Sequence, residues 1–493
     1  MMRFISGLPL SGSTLSLRLL VPILAIIIGH PAVADDPKDA LQGSPVCDAA
    51  RNVTPVSLAD AIVQALQNEP HVIVARAELA ESKADAVAAV APFFPKGQLV
   101  IDEERLLPNN AFQPVTVVGT NVLGGTRAYS AYGAITISWN ILSSGRDVAG
   151  YRAAKEDVYA SADALHSQFA DTLSNLLKAY ADVYEASVGL EQQGQSLVLL
   201  KAIARRAEER YQHGDGTTIA IGQARSAALD AEKSFNETCR SLTEKSSALA
   251  KAIGVQLPAG KILQAMERLP DAPANAMTAA DVESAVDSDP AVESARRKVL
   301  AAQERVHQTR AAFGPQISLD ARRDYLGQDV SSFSAANNGI SPNSYRIDVS
   351  LVQPIFPFLA EIGAVSKAKA EVRRAEALTA EARNDADSKL RMAVSANIEA
   401  GSSYRAARAS MQEAQKVLTL TESLYKAGRT NLDEFEHAQI DLQKSMVEVA
   451  TLESEKTRTA WDVERALQAA VFPTQLMRRV GVELADQYLQ DGT

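Results

Sequence analysis

The most constraining feature of this chain is a proline-free stretch from Ala360 to Ala427. It is rich in Ala, Glu, Arg and Lys, which are strong helix formers, and the next proline is Pro473. At about 1.5 Å per residue, its roughly 68 residues would form a helix about 100 Å long. The sequence Tyr425-Lys426-Ala427-Gly428 ends it with a glycine stop signal, and a second helix is expected to return. A helix of this length is unusual in a globular domain and predicts a chain that spans a distance of about 100 Å.

The chain is predicted to contain an internal two-fold repeat. Residues 70–95 match residues 290–315 without a gap, through the pairs Pro70/Pro290, Val72/Val292, Ala75/Ala295, Ala91/Ala311, Phe93/Phe313 and Pro95/Pro315. At a slightly smaller offset the matches continue as Ile141/Ile355, Tyr211/Tyr425, Gly214/Gly428 and Ala224/Ala438. The offset changes between the paired strands, where loops tolerate changes of length.

Each half is predicted to run in the order helix, strand, loop, strand, long helix and returning helix. In the first half these elements are helix 57–90, a strand from Gln98, loop 108–126, strand 129–141, helix 146–213 and a return to residue 253. In the second half they are helix 278–312, a strand from Gln316, loop 327–343, strand 345–355, helix 360–427 and helix 431–469. The expected domains are repeats 57–253 and 278–470, joined by linker 254–277 and followed by a C-terminal tail, 471–493.

The long helices have coiled-coil spacing. Apolar residues step by four and three through Phe169, Leu173, Leu176, Tyr180 and Val183, so these side chains are expected to pack against neighbouring helices. The alternative, the core stripe of an ordinary helical bundle, requires the same packing. A high alanine content with only 5% aromatic residues fits closely packed long helices.

The N-terminus resembles an export signal. Arg3 and Arg18 precede an apolar run of about eleven residues, and Ala32-Val33-Ala34 fits a cleavage site. We therefore expect a signal peptide over 1–34 and an N-terminal extension over 35–56. No later segment is apolar over the roughly 20 residues that a membrane-spanning helix needs, so any crossing is expected to use strands. In an exported protein Cys47 and Cys239 could form a disulfide or stay separate thiols.

The strands alternate between apolar and polar side chains. Tyr345, Ile347, Val349 and Leu351 would face lipid, whereas the opposite side chains would face a wet lumen. On strand 317–325 the polar side chains are Ser318, Asp320, Arg322 and Asp324, although Arg323 interrupts the apolar face. The predicted lumen-facing residues are Thr136, Ser138, Asp320, Arg346 and Asp348. Four strands cannot close a barrel, since about eight are needed, so several chains must contribute. A soluble β-layer that caps a helical bundle is the alternative.

The duplicated order, together with NEPHVIVARAEL, FFP/FGP, YQHGDGT and YKAGRTNLDEFEHAQ, resembles the TolC-type outer-membrane efflux protein family from Ser57 to about Ala470. The resemblance implies an α+β membrane protein in the outer membrane of a Gram-negative bacterium. It implies a homotrimer with one shared twelve-stranded β-barrel, four strands per chain, continued into the periplasm by an α-helical barrel. The implied partners are the lipid bilayer, a periplasmic membrane-fusion adaptor and an inner-membrane pump.

The resemblance also implies a periplasmic gate near the turn after the second long helix. The family's tyrosine and glycine match Tyr425 and Gly428, whereas its arginine is shifted by one position to Arg429, with Thr430 at the matching position. The family's acidic pair falls on Glu434 and His437, which share one helix face through their i, i+3 spacing. Asp433 is the rival acid if the register differs by one. We hypothesise that Glu434 lines the constriction and that His437 makes it pH-sensitive, because histidine changes charge near neutrality.

The equivalent turn of the first half is marked by Tyr211 and Gly214. Together with Gly428, these residues would offer a surface to an adaptor. The implied function is a passive exit duct of a tripartite efflux system. The alternatives are a type I secretion duct, with the same sequence signature, and a periplasm-spanning structural or adaptor rod.

Composition and motifs argue against other functions. A net charge of −10 argues against nucleic-acid binding, which normally needs a basic surface. No catalytic set, cofactor motif or metal-ligand spacing is recognisable in the sequence, so we expect a protein that is not an enzyme. The substrate does not follow from the sequence, because a duct conducts what its pump delivers.

Overall fold

A computed structural model of the protein describes residues 53–105, 117–118, 121–122, 129–214, 216–258, 260–272, 279–329, 333–356, 359–427, 429–430, 432–469 and 471–481. The expected signal peptide, Cys47 and Gly428 lie outside these ranges. The described residues fall into two compact units, one of residues 193–236 and one of all the others. Cys239 is disulfide-bonded.

The smaller unit is a helical hairpin. It holds the end of α3 (Arg146–Gln212) and the start of α4 (Thr218–Ile253). Apolar side chains of both helices are buried, among them Leu197, Leu200, Ala228 and Phe235. Outside this core, Arg225 forms an ion pair of 2.6 Å with Glu208.

Proline breaks the helix that precedes each strand pair. In the first half, α1 (Leu58–Asn68) and α2 (Pro70–Val90) replace the single helix predicted over 57–90. In the second half, α5 (Ala279–Asp287) and α6 (Pro290–Arg310) replace the one predicted over 278–312. The sequence prediction was wrong here because each proline occupies the first turn of a new helix, where its missing N–H costs nothing. The preceding Glu69 and Asp289 are extended, and each side chain accepts a backbone N–H as the helix cap.

Along the chain, each half has its pair of long strands between a short and a long helix, and the four strands form one antiparallel sheet. Its strands are β2 (Lys96–Arg105), β5 (Tyr129–Leu142), β7 (Gln316–Asp329) and β8 (Ser341–Val352), paired in the order β2-β5-β7-β8. The first predicted loop contains the short pair β3 (Val117–Val118) and β4 (Asn121–Val122), and the second contains α7 (Phe333–Asn338). The second-half strands are longer than predicted because they extend into that loop.

The second half ends with the longest helix and its return. Helix α8 (Leu359–Lys426) has 68 residues and α9 (Leu432–Leu467) has 36, and the two helices pack together. The predicted coiled-coil residues of α3 are all buried: Phe169, Leu173, Leu176, Tyr180 and Val183. Among the described residues, no helix combines the length and the low charge needed to cross a membrane.

Two segments for which the sequence predicted no secondary structure form strands. The end of the N-terminal extension forms β1 (Val53–Val56), and the linker between the halves forms β6 (Ile262–Ala265). They pair in parallel, with Val53 opposite Ile262. Tyr180 of α3 holds the pair, because its hydroxyl donates to the Val56 carbonyl at 3.2 Å and accepts from the Glu267 N–H at 3.4 Å.

The predicted C-terminal tail begins with a helix, α10 (Phe472–Val480). Phe472, Leu476 and Met477 are buried, and the Phe472 ring meets the edge of the Trp461 ring at 6.2 Å between centroids. The Trp461 indole also donates to the Pro270 carbonyl at 2.8 Å. The tail therefore packs against the α9 residue that also reaches the segment between the two halves.

The α10 contact predicts a large loss of stability from one substitution. Phe472→Ala removes a fully buried aromatic side chain, which costs about 3–5 kcal/mol. Val471→Ala is the control, because it shortens an exposed aliphatic side chain. Thermal unfolding of the purified protein measures both changes. Equal melting temperatures for the two variants would show that α10 does not depend on this contact.

Candidate functional site

The register of the sheet brings the predicted lumen-facing residues onto one face. Thr136 pairs with Arg322, which pairs with Arg346, and Ser138 pairs with Asp320, which pairs with Asp348. Directly paired residues of adjacent strands point to the same side of a sheet. All five predicted residues therefore share the polar face, in two adjacent rows, and their role in a lumen stays a prediction.

Like charges oppose each other across this polar face. Arginine is paired with arginine in one row and aspartate with aspartate in the next, an arrangement that is destabilising on its own. The repulsion between like charges is compensated by pairs of opposite charge within each strand. Arg322 Nε donates to Asp324 Oδ1 at 2.7 Å, and Arg346 lies 3.8 Å from an Asp348 oxygen. The Tyr132 hydroxyl also donates to Asp324 Oδ1, at 2.7 Å. Sequence reasoning missed Tyr132, because only the register shows which residues meet across strands.

The opposite face of the sheet is apolar and exposed in the isolated chain. On β8 its side chains are Tyr345, Ile347, Val349 and Leu351, which are 67–84% exposed. They continue a surface that includes Ile135, Ile137 and Trp139 of β5. Arg323, the exception that the sequence showed, lies over the Tyr325 ring at 5.3 Å from its centroid. The sheet therefore has one charged and one apolar face.

The α8–α9 turn holds the residues predicted to form the gate. The Tyr425 ring stacks on the Phe435 ring, with 5.5 Å between centroids and an interplanar angle of 6°. The Arg429 N–H donates to the Leu424 carbonyl at 2.9 Å. Phe435 was missed by sequence reasoning, although its position ten residues after Tyr425 across a glycine turn was the available signal.

The two gate residues predicted on α9, Glu434 and His437, are both exposed. The neighbouring Glu436 and Ala438 are buried. The Thr430 hydroxyl bonds to the Glu434 carboxylate, so this acid also fixes the start of α9. The side chain of the rival Asp433 lies outside the described residues. A gating role for Tyr425, Arg429, Glu434 and His437 stays a prediction.

The turn of the first half exposes its two predicted residues. Tyr211 is 48% exposed, and Gly214 has a φ of +84°, a conformation that glycine adopts without strain. The Gly214 N–H donates to the Tyr211 carbonyl at 3.0 Å, which closes the turn. Adaptor contact at Tyr211, Gly214 and Gly428 stays a prediction.

The aromatic stack predicts how the second turn can be loosened. Such a pair contributes about 0.5–1.5 kcal/mol beyond its buried area, so Phe435→Ala is expected to speed amide hydrogen exchange over residues 424–434. Phe435→Tyr keeps the ring and serves as the control. Exchange that is equally fast in the wild type and in Phe435→Ala would show that the stack does not hold the turn.

Within the described part of the chain, no group of three or more His, Cys, Asp or Glu side chains is placed to hold a metal ion. The candidate features described above are a two-faced sheet and two helical turns.

Comparison with known proteins gives relatives of similar sequence and solved structures of similar fold. Protein CyaE of Bordetella pertussis is 27% identical over 259 residues, which cover 51% of this chain and 52% of that protein. Outer membrane efflux protein BepC of Brucella suis is 25% identical over 327 residues, which cover 64% and 66%. The chain thus spans about half of one relative and just under two thirds of the other. The solved structure of the CmeC outer membrane channel from Campylobacter jejuni has the same fold, with a TM-score of 0.68 at 18% identity over 83% of this chain and 85% of that one.

The family model described as outer membrane efflux protein matches twice, over residues 61–255 and 282–468. The two matches cover the helices and strands of both halves. They locate the protein in the outer membrane, from which it extends into the periplasm. The chain belongs to the outer membrane efflux protein family.

Proposed function

We propose that three copies of this chain form one outer-membrane channel, which is the exit duct of a tripartite efflux system. The duct passively conducts small molecules that an inner-membrane pump and a periplasmic adaptor deliver. In this proposal the protein is not an enzyme and needs no cofactor.

The two-faced sheet with open edges is the observation that carries the proposal. Among the described strands, β2 and β8 each pair along one edge only. An apolar face beside unpaired backbone groups is stable in a membrane only if the sheet closes on itself. Four strands are too few for a barrel, and three copies supply twelve. In that barrel the apolar face meets lipid and the charged face lines the lumen.

The helices follow the order of the strands, which supports a helical barrel as the continuation of the sheet. Ser82 of α2 lies 2.7 Å from Ser161 of α3, and Ser294 of α6 donates to the Ala160 carbonyl of α3 at 2.7 Å. Helix α6 packs in turn along α8. The helix order α2-α3-α6-α8 therefore matches the strand order β2-β5-β7-β8. An internal two-fold repeat accounts for this match, because each half supplies two neighbouring strands and their helices.

The α3–α6 seam carries charge pairs in addition to close packing. Arg297 lies 3.3 Å from a Glu156 oxygen, and Arg305 pairs with Asp157. Burial raises the pKa of the Asp157 carboxyl, and the Arg305 guanidinium opposes this shift. Breaking this seam would leave partly buried charges without partners.

The exposed apolar residues at the two outer helices fit neighbouring copies. Helix α2 exposes Ile73, Val74 and Val87, and α8 exposes Leu378, Met392 and Ile398. Packing α8 of one copy against α2 of the next would bury both sets and close the helical ring. The turns at Tyr211, Gly214 and Gly428 would then be free to receive the adaptor.

The proposed lipid face predicts opposite outcomes for two adjacent substitutions. Val349→Lys places a charge on the apolar face, at a cost of about 2–4 kcal/mol near the middle of a bilayer. Ser350→Lys places the same charge on the polar face and is expected to be tolerated. The measurement is the amount of trimer recovered from outer-membrane fractions. Equal recovery of the two variants would contradict the assignment of the faces.

Planar-bilayer conductance of the purified protein, with its mass measured in the same preparation, tests the duct itself. We expect a trimer with small, cation-preferring openings that widen in Glu434→Gln and Arg429→Ala, because both residues are predicted to close the turn. Glu413→Gln, which removes an exposed α8 charge paired with Lys416, is the matched control. A species without conductance would overturn the proposed function, and unchanged openings in both gate variants would overturn the gate.

A further inference from the structure

A cavity of about 550 Å³ lies between the start of α3 and the end of α6. Its cationic wall consists of Arg152 from α3 and of His307 and Arg310 from α6. Position 152 follows Val148 by one helical turn, and positions 304, 307 and 310 recur every three residues on α6, so each helix presents one face to the cavity. The cavity is built within one chain, because α3 and α6 are the two inner helices of the α2-α3-α6-α8 row.

The cations of this wall are not neutralised by neighbours. Among the described residues, the side chains of Arg152, His307 and Arg310 make no hydrogen bond or ion pair. By contrast, Arg297 and Arg305, which precede His307 on α6, are both paired with acids of α3. Glu304 is the one carboxylate in the described lining, and it too is outside ion-pair distance of a cation. Even with histidine neutral, two guanidinium groups outnumber the single acid.

The charged residues that α6 contributes to the cavity have no counterpart in the equivalent helix of the first half. When the first half is aligned with the second through Pro70 and Pro290, the positions of Glu304, His307 and Arg310 are occupied by Ala84, Val87 and Val90. The fold therefore does not require charge at these positions.

A close approach of two turns shapes the floor of the cavity. The Ser144 hydroxyl donates to the Pro315 carbonyl, and a Cβ at Gly314 would clash with the Ser144 side chain. The floor thus forms where β5 turns into α3 and α6 leads into β7. Trp139 donates to the Phe93 carbonyl at 3.0 Å near this end of the sheet, and Phe94 is 62% exposed. Aromatic residues of this kind are typical of a membrane–water boundary.

We infer that this cavity binds an anionic phosphate group through Arg152 and Arg310, assisted by His307. Guanidinium groups bind phosphate with paired, charge-assisted hydrogen bonds, and the start of α3, at Gly145, adds the positive end of a long helix. The phosphate can come from a phospholipid headgroup or from a soluble phosphate ester. The position of the lipid boundary rests on the proposed function, whereas the chemistry of the site does not.

Native mass spectrometry of the detergent-purified protein tests the site. The probes are phosphatidylglycerol, diacylglycerol (which lacks phosphate) and glycerol 3-phosphate. We expect phosphatidylglycerol to bind more tightly than diacylglycerol, and its dissociation constant to rise about tenfold in Arg152→Gln/Arg310→Gln. The double variant Arg373→Gln/Arg374→Gln removes two exposed charges of α8 and is expected to bind like the wild type.

The three probes separate the two sources of phosphate. Binding of glycerol 3-phosphate that the cavity variant weakens would support the same site with a soluble ligand. Its absence, with phosphatidylglycerol binding weakened, would support a lipid headgroup. Unchanged phosphatidylglycerol and glycerol 3-phosphate binding in the cavity variant, or no preference for either over diacylglycerol in the wild type, would overturn the inference.

A second variant keeps the test decisive if the arginine variant does not fold. Glu304→Gln removes the only carboxylate of the described lining and is expected to tighten phosphate binding about twofold to threefold. Weaker binding in this variant would contradict the site. Mass and conductance measured in the same preparation separate a failure of this inference from a failure of the proposed channel.

Discussion

The structure depends on backbone hydrogen bonding at the edges of the four-stranded sheet. Each edge strand presents a row of N–H and C=O groups that need partners, and water cannot supply them inside a bilayer. Neither β2 nor β8 has a second strand partner among the described residues. In the proposed channel the chain is therefore an arc of a larger ring, and the assembly of copies follows from this requirement. The helices follow the order of the strands, because β5 and β8 lead into the long helices α3 and α8, whereas β2 and β7 follow the short helices α2 and α6.

Charged side chains are arranged differently on the sheet and on the helices. The sheet carries arginine and aspartate on one face only, whereas the helices carry charge pairs along the seams between neighbours. Arg458 and Asp182, 3.1 Å apart, join α9 to α3, as Arg268 and Glu453, 2.7 Å apart, join the segment between the halves to α9. Such pairs hold helices in register where aliphatic contacts alone would let them slide.

Sequence reasoning succeeded where a period or a breaker is explicit. The 68-residue helix followed from the absence of proline. The faces of β8, and the polar face that the strands share, followed from the alternation of apolar and polar side chains. It failed where a residue has two uses. Pro70 and Pro290 were interpreted as repeat markers, although they also start new helices. Strands β1 and β6 are four residues each, and only their partners identify them. Phe435 and Tyr132 acquire importance through contacts that depend on tertiary structure.

The pairing of β1 with β6 imposes an order on folding. Val53 must find Ile262, and between them lie two strands of the sheet and the whole first helical hairpin. Contacts between residues so distant in sequence form late, because closing a long loop costs entropy before it yields a contact. A chain that emerges N-terminus first holds β1 unpaired while α3 and α4 form locally. The small parallel pair is thus a closing step that completes the first half only after its hairpin is in place.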